Sequence, residues 1–149
     1  MIKDTTIYTY EVDPNGIREN ERMTQSDDYK NTVALADINS PTNEKLSTTY
    51  YYLDAIGPTQ KIFKGDEIAD YTHDYKTSRD SYYFYSNTVG AKGVRAQLAD
   101  VDMQMSRSAI SRSAAFDETN LRSETFYNLN GIRAKREPGM RITMNPTAR

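Results

Sequence analysis

Cysteine is absent from the 149 residues, which excludes disulfides, thiolate metal sites and cysteine nucleophiles together. Long apolar runs are missing as well. The N-terminus reads Met-Ile-Lys-Asp-Thr-Thr, without the hydrophobic centre of a signal peptide, and no stretch approaches the length that spans a bilayer. The expectation is a chain made and assembled inside a cell, with no membrane partner. Aliphatic side chains are sparse, phenylalanine occurs four times, and mean hydropathy is -0.80. A chain of this length can bury roughly two-thirds of its unfolded surface, but with so few purely apolar groups it struggles to offset its ordering entropy alone.

In place of aliphatic groups the chain has tyrosine, twelve in all, eleven of them before Ser86. A tyrosine buries a large ring while keeping its hydroxyl wet or bonded, which suits interfaces and half-buried sheets better than a dry core. A fold completed by partners is therefore expected. The formal net charge of -2 is unevenly spread: residues 1–92 carry fifteen acidic and ten basic side chains, a balance of -5, and residues 93–149 carry six and nine, a balance of +3. The last nineteen residues hold Arg133, Lys135, Arg136, Arg141 and Arg149 against Glu137. Such a division implies an acidic body with a basic arm, suited either to phosphate or to the acidic body of a neighbouring copy.

Thr5 to Val12 alternates β-forming residues and runs into Asp13-Pro14-Asn15-Gly16, which predicts a strand and a tight turn. Ile17 to Lys30 is polar throughout and predicts a loop or a surface helix. Val33 to Ile38 is a short apolar run. Leu46 to Ile56 predicts a strand with Thr48, Tyr50 and Tyr52 on one face and Thr49, Tyr51 and Leu53 on the other; Gly57-Pro58 ends it, and Thr59 to Lys64 reads as its partner. Asp66 to Asp80 is acidic and interrupted, and Ser81 to Val89 predicts a further strand. From Val94 to Asn130 the chain then runs thirty-seven residues without glycine or proline. Val94, Leu98, Val101 and Met105 recur there at spacings of four, three and four, which predicts one helical face. Asp117 reads as the N-cap of a second helix over Glu118 to Leu129, stopped by Asn130-Gly131. Past Gly131, Met140, Ile142 and Met144 alternate as in an extended segment that joins another chain's sheet edge. The expectation is an α+β fold: an antiparallel β-rich body over 1–92, two helices over 93–130 and an extended basic arm over 131–149.

Chemical motifs are thin. His73 stands between Asp70 and Asp74, a set that serves as a metal site or general base only if further ligands converge on it, and a lone imidazole in an acidic loop reads as incidental. Gly90-Ala91-Lys92-Gly93 precedes the first predicted helix and offers amides and a lysine to an anion. It lacks the Gly-Lys-Ser/Thr ending of a phosphate loop, so backbone geometry accounts for the glycines. The serines after Met105 have no nucleophile-elbow sequence around them. No catalytic residue, metal ligand or cofactor is expected. Tyrosines on a sheet face can accept stacked bases, but Asp66, Glu67, Asp70, Asp74 and Asp80 would repel phosphate, and protein contact is the better reading. Tyr50, Tyr52, Tyr83 and Tyr85 are the candidate contact residues, and Arg133, Arg136, Met140, Arg141 and Ile142 the docking residues of the arm. Arginine pairs with carboxylates as well as phosphates, and the interleaved apolar residues need a groove that phosphate does not provide.

A tyrosine-rich, cysteine-free β body, a Ser/Ala helix from Ser106 to Ala115 and an arm ending Met140-Arg141-Ile142-Thr143-Met144-Asn145-Pro146 together resemble small accessory proteins of tailed-bacteriophage virions. The resemblance implies a structural protein in many copies, located in the virion or in the host cytoplasm during assembly, with arms crossing between neighbours. The expected function is thus a non-enzymatic interaction protein of a large homo- or hetero-oligomeric assembly, partnered by its own copies and by other structural proteins. The alternative is a nucleic-acid-binding module that uses the basic C-terminal arm.

Overall fold

The computed structural model describes residues 4–31, 33–34, 43–53, 65–100 and 102–127, with the backbone of 142–143. They form strands and turns in two compact units, 1–79 and 80–149. In the first unit β1 (Thr5–Tyr10), β2 (Met23–Tyr29), β3 (Lys45–Tyr52) and β4 (Ile68–Asp74) pair antiparallel in chain order. β1 and β3 are rich in threonine and tyrosine, which fit a pleated, half-buried surface. β2 reads Met-Thr-Gln-Ser-Asp-Asp-Tyr and occupies the stretch expected to be a loop or surface helix.

Polar partners explain why β2 nevertheless forms a strand. Thr6 and Ser47, on the strands either side, donate hydroxyl hydrogen bonds to Asp28 at 2.6 and 3.1 Å, and further along the same face the Thr49 and Thr72 hydroxyls lie 2.7 Å apart. Alternation is interrupted where one strand carries an extra residue: Thr9 faces Gln25 but Tyr10 faces Met23, which leaves Thr24 as the bulge in β2. The link from β1 to β2 is pinned by Arg22, 1% exposed, whose guanidinium donates from Nε and Nη2 to the Glu11 carboxylate at 2.8 Å each. Of the apolar run at Val33 to Ile38, only Val33 and Ala34 are described, and Val33 is buried; Thr59 to Lys64 lies outside the described residues.

In the second unit β5 (Arg79–Ser86) pairs with both β6 (Val94–Arg95) and β7 (Gln104–Ser111), β8 (Leu121–Tyr127) pairs antiparallel with β7, and β9 (Ile142–Thr143) runs parallel to β8. The expected α+β class is corrected to a mostly antiparallel β fold. Among the described residues there is no α-helix, only 3-10 turns at Arg18–Asn20 and Ala96–Leu98. The apparent helical face of Val94, Leu98 and Met105 is spread over β6, a 3-10 turn and β7, with a turn closed by Met103 N donating to Asp100 O at 3.0 Å. Spacings of three and four arise there by coincidence, because the run is broken by local turns that need neither glycine nor proline. From Arg107 the true period is two: Arg107, Ala109 and Ser111 are buried while Ser108 and Ile110 are half-buried.

The second expected helix fails for a related reason. Asp117 does cap backbone, but it caps a turn: its carboxylate accepts from Thr119 N and Oγ1 at 2.9 and 2.6 Å, and Arg112 N donates to Asn120 O to close the β7–β8 hairpin. Aspartate serves such turns as readily as helix N-termini. Leu121–Tyr127 then alternates, ending in the β-favouring Thr125, Phe126 and Tyr127.

Arg107 organises this unit. It is 1% exposed, lies over the Phe84 ring at 4.1 Å, and donates from Nε to Lys92 O at 2.9 Å, from Nη1 to Glu118 and Glu124 at 2.9 and 3.1 Å, and from Nη2 to Glu118 at 3.0 Å. One side chain on β7 thereby ties the segment before β6, the β7–β8 turn and β8. Gly93 lets that segment pass: with φ +73°, it sits where a Cβ would fall 2.7 Å from Tyr85 O and 2.8 Å from Ser106 Oγ. Among the described residues seven hydrophobic and seven polar or charged residues are buried, so hydrogen bonds and ion pairs fill about as many interior positions as apolar contact does. No helix among them is long and apolar enough to cross a membrane.

Candidate docking face on the first unit

The register of the first unit places Gln25, Tyr50 and Tyr71 side by side on β2, β3 and β4, with Asp27, Thr48 and His73 in the next row and Tyr29 beside Lys45 in the row after. Alternation, with a bulge at Leu46 that brings Lys45 into step, puts all of these on one face. The Tyr50 and Tyr71 rings are stacked, with centroids 4.8 Å apart and planes 25° from parallel. That separation equals the distance between neighbouring strands, so the rings stand upright and turn their faces toward each other. What they present outward is ring edge and hydroxyl. His73 meets Tyr75 edge to face at 4.7 Å and 80°.

Beside the rings, in the neighbouring rows of the same face, lies a polar network. Asp27, 4% exposed, accepts from the Thr48 hydroxyl, from Gln25 Nε2 at 2.9 Å and from Lys45 Nζ at 3.2 Å. The Tyr75 hydroxyl is 3.0 Å from Thr48 Oγ1 and donates to it, since the Thr48 proton already serves Asp27. Lys45 also lies 5.5 Å from the Tyr29 ring centroid and 5.8 Å from that of Tyr75. Burial alone would raise the Asp27 pKa, but the bonds from Thr48, Gln25 and Lys45 outweigh it and hold the carboxyl below its ordinary value. Burial likewise works against the charged Lys45, yet Asp27 carries its pKa upward. Tyr50 is raised by burial first, then by neighbouring Tyr75 and Tyr71, so its hydroxyl keeps its proton. Asp27 and Lys45 are thus driven away from neutrality, the opposite of the tuning that proton transfer near pH 7 requires. Tyr75, bonded to Thr48 and to the Tyr50 hydroxyl, connects the network to the stack.

Among the residues picked from the sequence, Tyr50 is at the centre of this face and Tyr52 lies further along β3 opposite Ile68. Tyr83 and Tyr85 belong to β5 in the second unit, where Tyr83 is half-buried opposite Ser108 and Tyr85 is 5% exposed. Arg133, Arg136, Met140 and Arg141 lie outside the described residues. The backbone of Ile142 is in β9, opposite Phe126. Tyr71 and Tyr75 were not picked as contact residues, and His73 was weighed only as a metal ligand or base, because Asp66 to Asp80 read as an acidic, interrupted stretch; their two-residue spacing was the available signal. Strand alternation also separates His73 from Asp74, whose carboxylate caps the following turn by accepting from Lys76 N and Thr77 N at 2.9 and 2.8 Å. No group of three or more His, Asp or Glu that could hold a metal ion occurs among the described residues. At Gly90-Ala91-Lys92-Gly93 a strand follows instead of a helix, and Lys92 Nζ is 2.9 Å from Glu118.

No protein-family model matches this chain, and the searches of curated proteins and of solved structures returned no match.

Proposed function

We propose that the protein is a structural interaction module that docks neighbours in a larger assembly through the tyrosine face of its first unit. The Tyr50 and Tyr71 stack, beside the Asp27 network on the same face, is the observation that carries this reading. Pre-positioned tyrosines contribute large contact area at little ordering entropy, and their hydroxyls supply hydrogen bonds at the rim. One face of each ring is taken up by the other, which leaves the pair a narrower platform for a nucleobase than two free rings would give. Placement in a tailed-phage virion, with copies of itself and other structural proteins as partners, rests on sequence texture and is part of the same proposal.

Recovery of the full chain with its native complex tests it. Native mass measurement is made for wild type and for a Tyr50→Ser, Tyr71→Ser double variant whose fold is checked by circular dichroism. If the stack is an interface anchor of the usual strength, about 2 kcal/mol or more, the variant is excluded from the complex at stoichiometric concentration. Equal incorporation of the folded variant refutes the docking face, and recovery of nucleic acid alone in place of protein refutes the assembly role.

A further inference from the structure

Among the described residues the outer strand of the first unit, β1, has the least protected edge. Among the described residues β1 has one sheet partner, β2. It reads Thr-Thr-Ile-Tyr-Thr-Tyr, without a charge, a proline or a glycine, whereas exposed edges are ordinarily blunted by lysine, proline, bulges or a covering segment. The bulge of the β1–β2 pair sits in β2 at Thr24, so β1 itself keeps regular alternation. The Thr5 and Thr6 hydroxyls are bonded on the β2 side: Thr5 Oγ1 donates to Asn31 O at 2.7 Å and accepts from Val33 N at 3.0 Å, and Thr6 Oγ1 donates to Asp28 at 2.6 Å, while the Thr9 carbonyl accepts from Thr24 Oγ1 at 3.1 Å. Tyr8 is 54% exposed and Val12, on the same side, 86%.

We propose that β1 is a self-pairing edge, and that two copies join through antiparallel β1-to-β1 hydrogen bonds about a two-fold axis. The occupant is a second copy for two reasons. Antiparallel pairing of identical strands about a two-fold is self-complementary in its main-chain donors and acceptors. Charge points the same way: an uncharged edge gives a charged partner no attraction, while its own copy meets none of the like-charge opposition that a single lysine or glutamate would create twice over. Centring the pair on Tyr8 places Ile7 opposite Thr9, Thr6 opposite Tyr10, Thr5 opposite Glu11 and Asp4 opposite Val12. No two carboxylates face each other in that register. A contact of one six-residue strand is smaller than the roughly 1,200 Å² of a stable free dimer, so the association is weak in dilute solution and gains strength where copies are already held side by side. This inference stands apart from the tyrosine face, which lies on β3 and β4.

Sedimentation of the full chain up to about 1 mM, the range of weak contacts, provides the test. Wild type is expected to move from 17.0 kDa toward twice that mass. Tyr8→Lys and Tyr8→Glu, each at an exposed position and checked for retained fold, are expected to weaken association at least tenfold, and an equimolar mixture of the two to restore it. A Tyr8→Cys variant, in a chain with no other cysteine, should form a disulfide-linked dimer on mild oxidation. A wild-type mass of 17.0 kDa throughout, or association unchanged by the single charges, overturns the proposal. Self-association that persists in the Tyr50→Ser, Tyr71→Ser variant separates this edge from the docking face; its loss there assigns the contact to that face and overturns β1 pairing.

Discussion

Glu118 is bonded to two cations at nearly the same distance in different surroundings, and this permits a quantitative prediction. Arg107 reaches it bidentately at 2.9 and 3.0 Å with a side chain 1% exposed, and Lys92 reaches it at 2.9 Å with a side chain 64% exposed. Distance alone would make the two pairs equal. Solvent separates them, because a lysine in water pays side-chain entropy and is screened, which limits such pairs to about 0.2–1 kcal/mol. Breaking a buried pair costs about 3–5 kcal/mol when an uncompensated charge remains. Here Glu124 stays 3.1 Å from Arg107 and Glu118 is 36% exposed, so we reduce the expected coupling to about 2 kcal/mol. Two double-mutant cycles measure these values, one pairing Arg107→Met with Glu118→Gln and one pairing Lys92→Met with Glu118→Gln. Stability is read by urea unfolding together with hydrogen exchange of the amides in residues 104–127, so that the second unit is followed by itself. With a urea slope of about 1–3 kcal/mol per molar, a loss of about 2 kcal/mol moves the midpoint by roughly 0.7–2 M. Couplings that are equal, or larger for Lys92, would refute the claim that burial of the guanidinium sets the strength of this hub.

Acid should loosen both units. The Glu11 carboxyl is held below its ordinary value by Arg22, Glu118 by Arg107, and Asp27 by its bonds from Thr48, Gln25 and Lys45 against the effect of burial. Groups whose folded pKa is depressed contribute stability that is complete above the unfolded value, near 4, and is lost as pH falls through the folded values. The urea midpoint should therefore drop on acidification below about pH 4, and Glu11→Gln and Glu118→Gln should flatten the dependence; a midpoint that holds steady or rises there contradicts the sign. Gly93→Ala should cost about 2–4 kcal/mol, the sum of a left-handed backbone penalty and overpacking, because its new Cβ meets Tyr85 O and Ser106 Oγ. Gly90→Ala has a similar φ of +78° and open space, so it should cost about 1–2 kcal/mol. Equal thermal shifts for the two variants would remove the steric argument at Gly93.

Strands with a conventional pattern were legible in the sequence, and strands stabilised by polar partners were not. β1, β3 and β5 announce themselves through threonine and tyrosine, and the alternation of Tyr50 with Thr48 along β3 follows from period two alone. β2 and β7 hide because their buried positions include Ser26, Asp27, Ser106, Arg107 and Ser111, residues that hydrophobic patterning assigns to solvent. Their burial depends on partners distant in sequence: Asp27 is 21 residues from Thr48, and Arg107 is 17 from Glu124. The same blindness hid the contact role of Tyr71 and Tyr75 and reduced His73 to an incidental imidazole, because acidic neighbours made β4 and the turn after it look like a loop.

The polar interior also shapes how the protein should respond to temperature. Exposure of apolar surface raises the heat capacity on unfolding and exposure of polar surface lowers it, so a chain that buries Arg22, Asp27, Thr48 and Arg107 where others bury leucine unfolds with a small heat-capacity increment. A small increment flattens the curve of stability against temperature into a broad plateau, which leaves the fold nearly as secure in the cold as in the warm.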